Sequence, residues 1–172
     1  MPMHRVEIPP LWKNNMLLNE LFTGEFIKIG IEAEDKDEAF EELTEAFCQV
    51  SRLNIREEIL EAIRTRERKM STGIQKGIAV PHGRVPSIDK VYGILGISRK
   101  GIDYDALDGQ PVYLLFMLLA PQTESEYHLR VLKRLAEMLQ NPQFFTDLAA
   151  QNDPVAANGI IKKYEDILTA LD

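Results

Sequence analysis

The run Val112-Tyr113-Leu114-Leu115-Phe116-Met117-Leu118-Leu119-Ala120 is apolar at nearly every position. A strand with one wet face alternates apolar and polar side chains, so a run without alternation reads as a central strand buried on both faces. A chain built around it must cover both sides of its sheet.

The flanking sequence supplies the covers. Val91 to Ser98 is a second apolar, β-branched run, and Phe26-Ile27-Lys28-Ile29-Gly30-Ile31 alternates as a strand does. Asp35 with Glu38 forms a capping box for a helix to about Arg52, with an apolar stripe of Ala39, Phe40, Leu43, Ala46, Phe47 and Val50. Asn54 with Glu57 predicts the start of another helix, whose Ile55, Ile59, Leu60 and Ile63 face the core up to Arg66 or Arg68. Gly101 and Asp105-Ala106-Leu107-Asp108-Gly109 mark turns. Ser125 opens a helix to about Gln140, Asn141-Pro142 stops it and starts a shorter one, and a last helix ends near Leu171. Leu17, Leu18, Leu21 and Phe22 fall at helical spacing. Residues 1–15, with Pro9-Pro10 and Asn14-Asn15, read as an irregular lead-in in which His4 is a tail residue. The expected fold is a single α/β domain over residues 16–172, a central mixed β-sheet flanked by helices.

At 172 residues and 45% hydrophobic composition the chain can bury one core. It has no apolar run near the 18 to 20 residues or so of a membrane span and no signal-peptide core at its start, so a cytoplasmic protein without direct membrane insertion is expected. Cys48 is the single cysteine, which excludes an internal disulfide and fits a reducing compartment. A net charge of -7 argues against a nucleic-acid partner. Yet residues 64–100 hold nine Lys/Arg against Glu67 and Asp89, a local balance of +7 inside a chain that otherwise sums to -14. That positive segment suits attraction of a phosphorylated group, or it is a solvated charged loop.

The segment's centre is Ser71-Thr72-Gly73-Ile74-Gln75-Lys76-Gly77-Ile78-Ala79-Val80-Pro81-His82-Gly83-Arg84. Pro81 has no N–H for a sheet and pushes Val80 towards an extended conformation; Gly83 lets the chain turn and lets another surface come close. His82 is thereby presented at the end of a strand-like run. Gly73 to Gly77 does not fit the spacing of a nucleotide P-loop, and no dinucleotide fingerprint follows a strand. His128, in Glu126-Tyr127-His128-Leu129-Arg130-Val131-Leu132, shares a helix face with Leu132 and Leu135 and reads from spacing alone as a half-buried core histidine. Arg66 reads from its position as a cation favoured at a helix C-terminus.

Ser71 to Arg84, the run Tyr104 to Val112 and the His128 helix, three blocks in order, resemble the mannitol/fructose-type enzyme IIA of the bacterial phosphoenolpyruvate:sugar phosphotransferase system, including its nitrogen-regulatory branch. The resemblance runs from about Leu17 to Leu171. It implies that His82 accepts a phosphoryl group from a histidine-containing phosphocarrier protein. It implies that Arg66, of the Arg66-Glu67 pair, steadies that group and that His128 is a helper beside His82. Ser71 and Thr72 hydroxyls and the Gly73–Gly77 backbone are plausible phosphate-binding donors. A neutral imidazole can attack phosphorus without cofactor or metal. The residues leave open which ring nitrogen reacts; the resemblance implies the tele nitrogen, Nε2. Asp105, Asp108 and Gly109 form a shaped turn to which no catalytic role is assigned.

Two partners are implied for the phosphorylated protein: an enzyme IIB in sugar uptake, or target proteins regulated in the nitrogen-type manner, the latter favoured by a free-standing domain. A non-phosphorylated binding module on the same fold is the alternative from another class. A hydrolase using His82 as general base ranks last, because no nucleophile elbow or metal set accompanies it.

Overall fold

The computed structural model describes residues 18–123 and 125–171, so the expected lead-in, its His4, and Leu17 lie outside the described residues. The described residues begin with helix α1 (Leu18–Leu21), a 3-10 turn (Gly24–Phe26) and strand β1 (Ile27–Ile29), then helices α2 (Lys36–Ser51) and α3 (Arg56–Glu67). Strands β2 (Ile78–Ala79), β3 (His82–Arg84), β4 (Tyr92–Ile102) and β5 (Val112–Ala120) follow, and helices α4 (Ser125–Leu139), α5 (Pro142–Ala149) and α6 (Pro154–Thr169) close the fold.

β5 is the central strand its composition predicts. Leu114, Phe116, Leu118 and Ala120 join one core, with residues of α1, α4, α5 and α6. Leu115, Met117 and Leu119 join the other, with residues of α2 and α3. Both faces are therefore covered, and each fully buried large side chain contributes about 1.5–3 kcal/mol. The sheet is mixed: β4 runs antiparallel to β5, β1 lies parallel on β4, and β2 and β3 both lie parallel on β5.

Local signals hold where the side chain meets its partner. Asp35 caps α2 by accepting from the Glu38 N–H (2.9 Å), while the Glu38 carboxylate reaches back to the Glu34 N–H (2.9 Å). Asp153 and Asn141 cap α6 and α5 in the same way, each ahead of a proline in the first turn. Three expectations change. α3 starts at Arg56 after Ile55, which gives no side-chain cap, so Asn54 is not its cap. Val50 is exposed and falls outside the buried stripe of α2. Gly101 is not a turn: at φ +84° it lies within β4, where the pairing with β5 shifts register between Ile97 and Ile102.

β2 and β3 act as one interrupted edge strand. Leu114 N–H donates to Gly77 O (3.1 Å) on one side of the break and Leu118 N–H to Pro81 O (2.9 Å) on the other. Pro81, with no N–H to give, sits at the interruption, where an edge tolerates it.

Candidate functional site

His82 is the first residue of β3, opposite Leu118 of β5. Gly83 after it does not turn the chain; it continues the strand and lets α3 lie close across it. A Cβ at Gly83 would stand 2.9 Å from the Ala62 carbonyl carbon and 3.0 Å from Ala62 Cβ. This close crossing carries the C-terminal turn of α3, with Arg66, to the edge of the sheet beside His82. From the opposite layer, the first turn of α4 brings His128, whose ring centroid lies 5.4 Å from that of His82 at an interplanar angle of 44°.

Between the two layers opens a cleft of about 540 Å³ lined by Arg66, Lys69, His82, Arg84 and His128, with Leu129 and Leu132 on the α4 side. A second cavity of about 270 Å³ continues past His82 and Arg66 to Ser71, Val80 and Leu135. The positive segment seen in the sequence therefore has a focus: three cations line the same space as two imidazoles, against two carboxylates, Glu58 and Glu61. Among the described residues, no three of His, Cys, Asp and Glu converge as metal ligands would.

The half-buried His82 ring is oriented by its Nδ1, 2.9 Å from Val80 O. A carbonyl can only accept, so Nδ1 carries the proton and Nε2 keeps its lone pair. Burial lowers the His82 pKa most; the Val80 bond opposes this, Arg66 and Arg84 lower it further, and Glu67 raises it. The ring is neutral at neutral pH. His128 is 5% exposed, and burial, then His82 and Arg84, push its pKa down to about 4. It too is neutral. Its Nδ1 is buried without a hydrogen-bond partner among the described residues.

Arg66 donates from one guanidinium nitrogen to Met70 O (2.9 Å), which folds residues 66–70 back over the end of α3. Arg84 donates to Pro121 O (3.2 Å). Ser71 Oγ accepts from the Gly73 N–H (3.2 Å), leaving its O–H as a donor. Thr72 departs from the expectation of a phosphate-binding hydroxyl. Its N–H and O–H both run to the buried Glu67 carboxylate, at 2.9 and 2.6 Å, so its single hydroxyl proton is already committed.

Several residues without a role in the sequence reading come to this region in the fold. Arg84 shares a strand face with His82 by the period of two, a signal present in His82-Gly83-Arg84. Glu67 falls four residues after Ile63 on the buried spacing of α3, a signal that its place beside Arg66 in a charged pair obscures. The 105–109 turn packs against the loop of residues 71–77. Leu107 N–H donates to Gly73 O (2.9 Å), and Asp108 accepts from Lys76 N–H (2.9 Å) and Gln110 N–H (3.0 Å). Those backbone donors hold the Asp108 pKa below its usual value.

The profile of the family described as "Phosphoenolpyruvate-dependent sugar phosphotransferase system, EIIA 2" matches residues 20–164. The chain is 35% identical over 150 residues to a PTS system fructose-specific EIIABC component of Bacillus subtilis, a match covering 87% of this chain and 24% of that longer protein. It is 31% identical over 146 residues to a nitrogen regulatory protein of Bradyrhizobium diazoefficiens, covering 85% and 95%. The crystal structure of nitrogen regulatory protein IIA-Ntr from Neisseria meningitidis superposes with a TM-score of 0.78 at 30% identity, over 84% of this chain and 99% of that one. Enzyme IIA of the mannitol system of Escherichia coli, solved in complex with phosphorylated enzyme IIB, shares the fold with a TM-score of 0.69 at 20% identity, over 82% and 96%. No helix among the described residues is long and apolar enough to cross a membrane. With 145 residues under the family profile and the same fold around its histidine pair, this chain belongs to the EIIA type 2 family of the phosphoenolpyruvate-dependent sugar phosphotransferase system.

Proposed function

We propose that this chain is a phosphoryl carrier that accepts a phosphoryl group on His82 Nε2 from the phosphohistidine of a histidine-containing phosphocarrier protein. The observation that carries the reading is the Nδ1 contact to Val80 O, which leaves the other nitrogen of a neutral ring as a nucleophile in a cleft lined by Arg66, Lys69 and Arg84. In the step, the Nε2 lone pair forms a bond to phosphorus while the bond from phosphorus to the donor imidazole breaks, and the donor ring leaves with that electron pair. The Nδ1 proton stays in place, and the Val80 carbonyl stabilises the positive charge that develops on the His82 ring.

The three phosphoryl oxygens gather charge in transfer, and fixed donors in a partly desolvated cleft stabilise it. Arg66 supplies a planar fork of N–H donors, Arg84 a second guanidinium, and the Ser71 hydroxyl one further donor. His128, neutral, donates from a ring N–H; a neutral donor holds the group without the excess attraction that would slow its onward transfer. Thr72 acts by position alone.

The acceptor is an enzyme IIB or a set of regulated proteins. Likeness to both fructose-specific and nitrogen-regulatory relatives supports each, and the IIA–IIB complex of the mannitol relative motivates the first. We assign residues 16–172 to the phosphotransferase domain and the protein to the cytoplasm, with no nucleic-acid partner. The test is mass spectrometry without acid, on wild type and His82→Ala, after incubation with phosphoenolpyruvate, enzyme I and the phosphocarrier protein. One added phosphate in wild type and none in the variant is expected. Labelling of the variant at one site would take the acceptor role away from His82, and no labelling in wild type with either the sugar-branch or nitrogen-branch carriers would overturn the reading in favour of a non-phosphorylated binding module.

A further inference from the structure

Glu67 is the last residue of α3 and is 9% exposed. A carboxylate in such a place is costly unless its charge and lone pairs are met, and an apolar residue of similar volume would serve packing at least as well. Here everything nearby serves the carboxylate. One oxygen accepts from Thr72 N–H (2.9 Å) and lies 3.2 Å from Lys36 Nζ; the other accepts from the Thr72 hydroxyl (2.6 Å). Because that hydroxyl has spent its proton on Glu67, the 2.7 Å contact between Thr72 Oγ1 and Tyr104 OH must be donated by the tyrosine. Lys36 also lies 5.1 Å from the centre of the Tyr104 ring. Burial, then the Glu67 charge, raise the Tyr104 pKa, so the phenol keeps the proton it donates.

Two simultaneous bonds from one carboxylate to the backbone and side chain of one residue fix that residue's orientation, and with it the direction of its carbonyl. Thr72 O accepts from Val80 N–H (3.0 Å), and Val80 O in turn accepts from His82 Nδ1 (2.9 Å). An unbroken series of hydrogen bonds thus runs from the end of α3 to the imidazole. Its only covalent links are those within Thr72 and Val80.

We propose that Glu67 is a positioning residue for His82, acting through Thr72 and Val80 to hold the ring with Nδ1 protonated and Nε2 open to the cleft, while Lys36 and Tyr104 hold its carboxylate in place. The inference rests on the reading of His82 as phosphoryl acceptor. It gives Thr72 a purpose other than binding phosphate, and it explains a buried charge that packing does not require. Glu67 makes no hydrogen bond to the imidazole, although its charge raises the His82 pKa through space. The effect proposed here is on the fraction of His82 rings that have the correct tautomer and direction.

The test uses the full chain with ¹⁵N-labelled histidine at pH 8, where His82 is neutral. In wild type the ring nitrogens should read as one protonated Nδ1 and one unprotonated Nε2. Glu67→Gln and Thr72→Val should convert this to a mixture of tautomers. They should also lower the maximal rate of transfer from the phosphorylated phosphocarrier protein by about tenfold, with its KM unchanged because the docking surface is untouched. Thr72→Ser, which keeps the hydroxyl, should restore both readings. If Glu67→Gln fails to fold, Thr72→Val and Thr72→Ser still decide the matter. Variants that lose stability yet keep the wild-type tautomer and rate would overturn the proposal, leaving Glu67 a structural clamp. If wild type accepts no phosphate, the carrier reading fails, and the tautomer measurement still decides whether Glu67 orients His82.

Discussion

Substituting Gly73 by alanine tests whether the loop carrying Ser71 and Thr72 is positioned by its contact with the 104–109 turn. A Cβ at Gly73 would stand 2.7 Å from Ala106 Cβ, 2.8 Å from Ala106 Cα and 2.8 Å from Tyr104 Cδ1. None of these atoms can swing aside: two belong to a short residue on the turn's own backbone, and the third to a fully buried ring. Ordinary contact requires the loop to retreat by about 0.7 Å. The same retreat stretches the 2.9 Å bond from Leu107 N–H to Gly73 O beyond useful length. Overpacking of this kind costs about 1–3 kcal/mol, and the lost bond about 1 kcal/mol more. For a domain of this size, a loss of about 3 kcal/mol lowers Tm by roughly 6–12 °C. The displaced loop also holds Val80, on which His82 is oriented, so transfer should slow by about 10- to 100-fold. Thermal denaturation and quenched-flow phosphorylation of Gly73→Ala read both quantities. Wild-type stability together with a wild-type rate would show that the two segments are not held against each other.

Three further outcomes are expected. His128 is buried neutral with its pKa pushed down to about 4, so the unfolded chain binds its proton first and stability is lost as pH falls from about 6.5 towards 4. That loss reaches about 3 kcal/mol from this residue, and urea titrations of His128→Gln should show a correspondingly flatter acid limb; an unchanged limb refutes the buried neutral ring. Arg84→Ala should slow phosphorylation with little change in Tm, and Arg84→Lys should recover only part of the rate; a rate equal to wild type in the alanine variant would remove Arg84 from the site. Gly159 is exposed within α6, with nothing within 4 Å of the point where a Cβ would stand, and should accept alanine with a gain of about 0.5–1 kcal/mol in chemical denaturation; a loss would mean that this face of α6 is packed.

The layered fold was legible because β5 is apolar in both registers, and only a strand covered twice has that composition. Asp35, Asn141 and Asp153 were legible for a different reason: a cap contacts a backbone N–H two or three residues on, so the signal is local. Asn54 carried the same signal without the contact, since α3 begins two residues later. His82 announced itself through Pro81 and Gly83, although Gly83 serves the approach of α3 and not a turn. What stayed hidden was set by distant segments. Thr72 reads as an available hydroxyl until Glu67 and Tyr104 are seen on either side of it, the latter 32 residues away. Nothing local tells which of two adjacent hydroxyls, Ser71 or Thr72, keeps its proton for a ligand. Glu67 and Arg84 were recoverable in principle from helical and strand periodicity, because each falls on a face already marked by a residue of known direction.

The cleft draws Arg66 from the layer on one side of the sheet and His128 from the layer on the other, with His82 on the edge strand between them. A chain with only one layer in place would still contain the histidine, but not the cations and second imidazole that surround it. On the proposed reading of His82 as phosphoryl acceptor, phosphate on this protein would then serve as a certificate of completed folding. Nascent or damaged copies would draw nothing from the phosphoryl pool, and the labelled population would be counted only from molecules whose two halves have met.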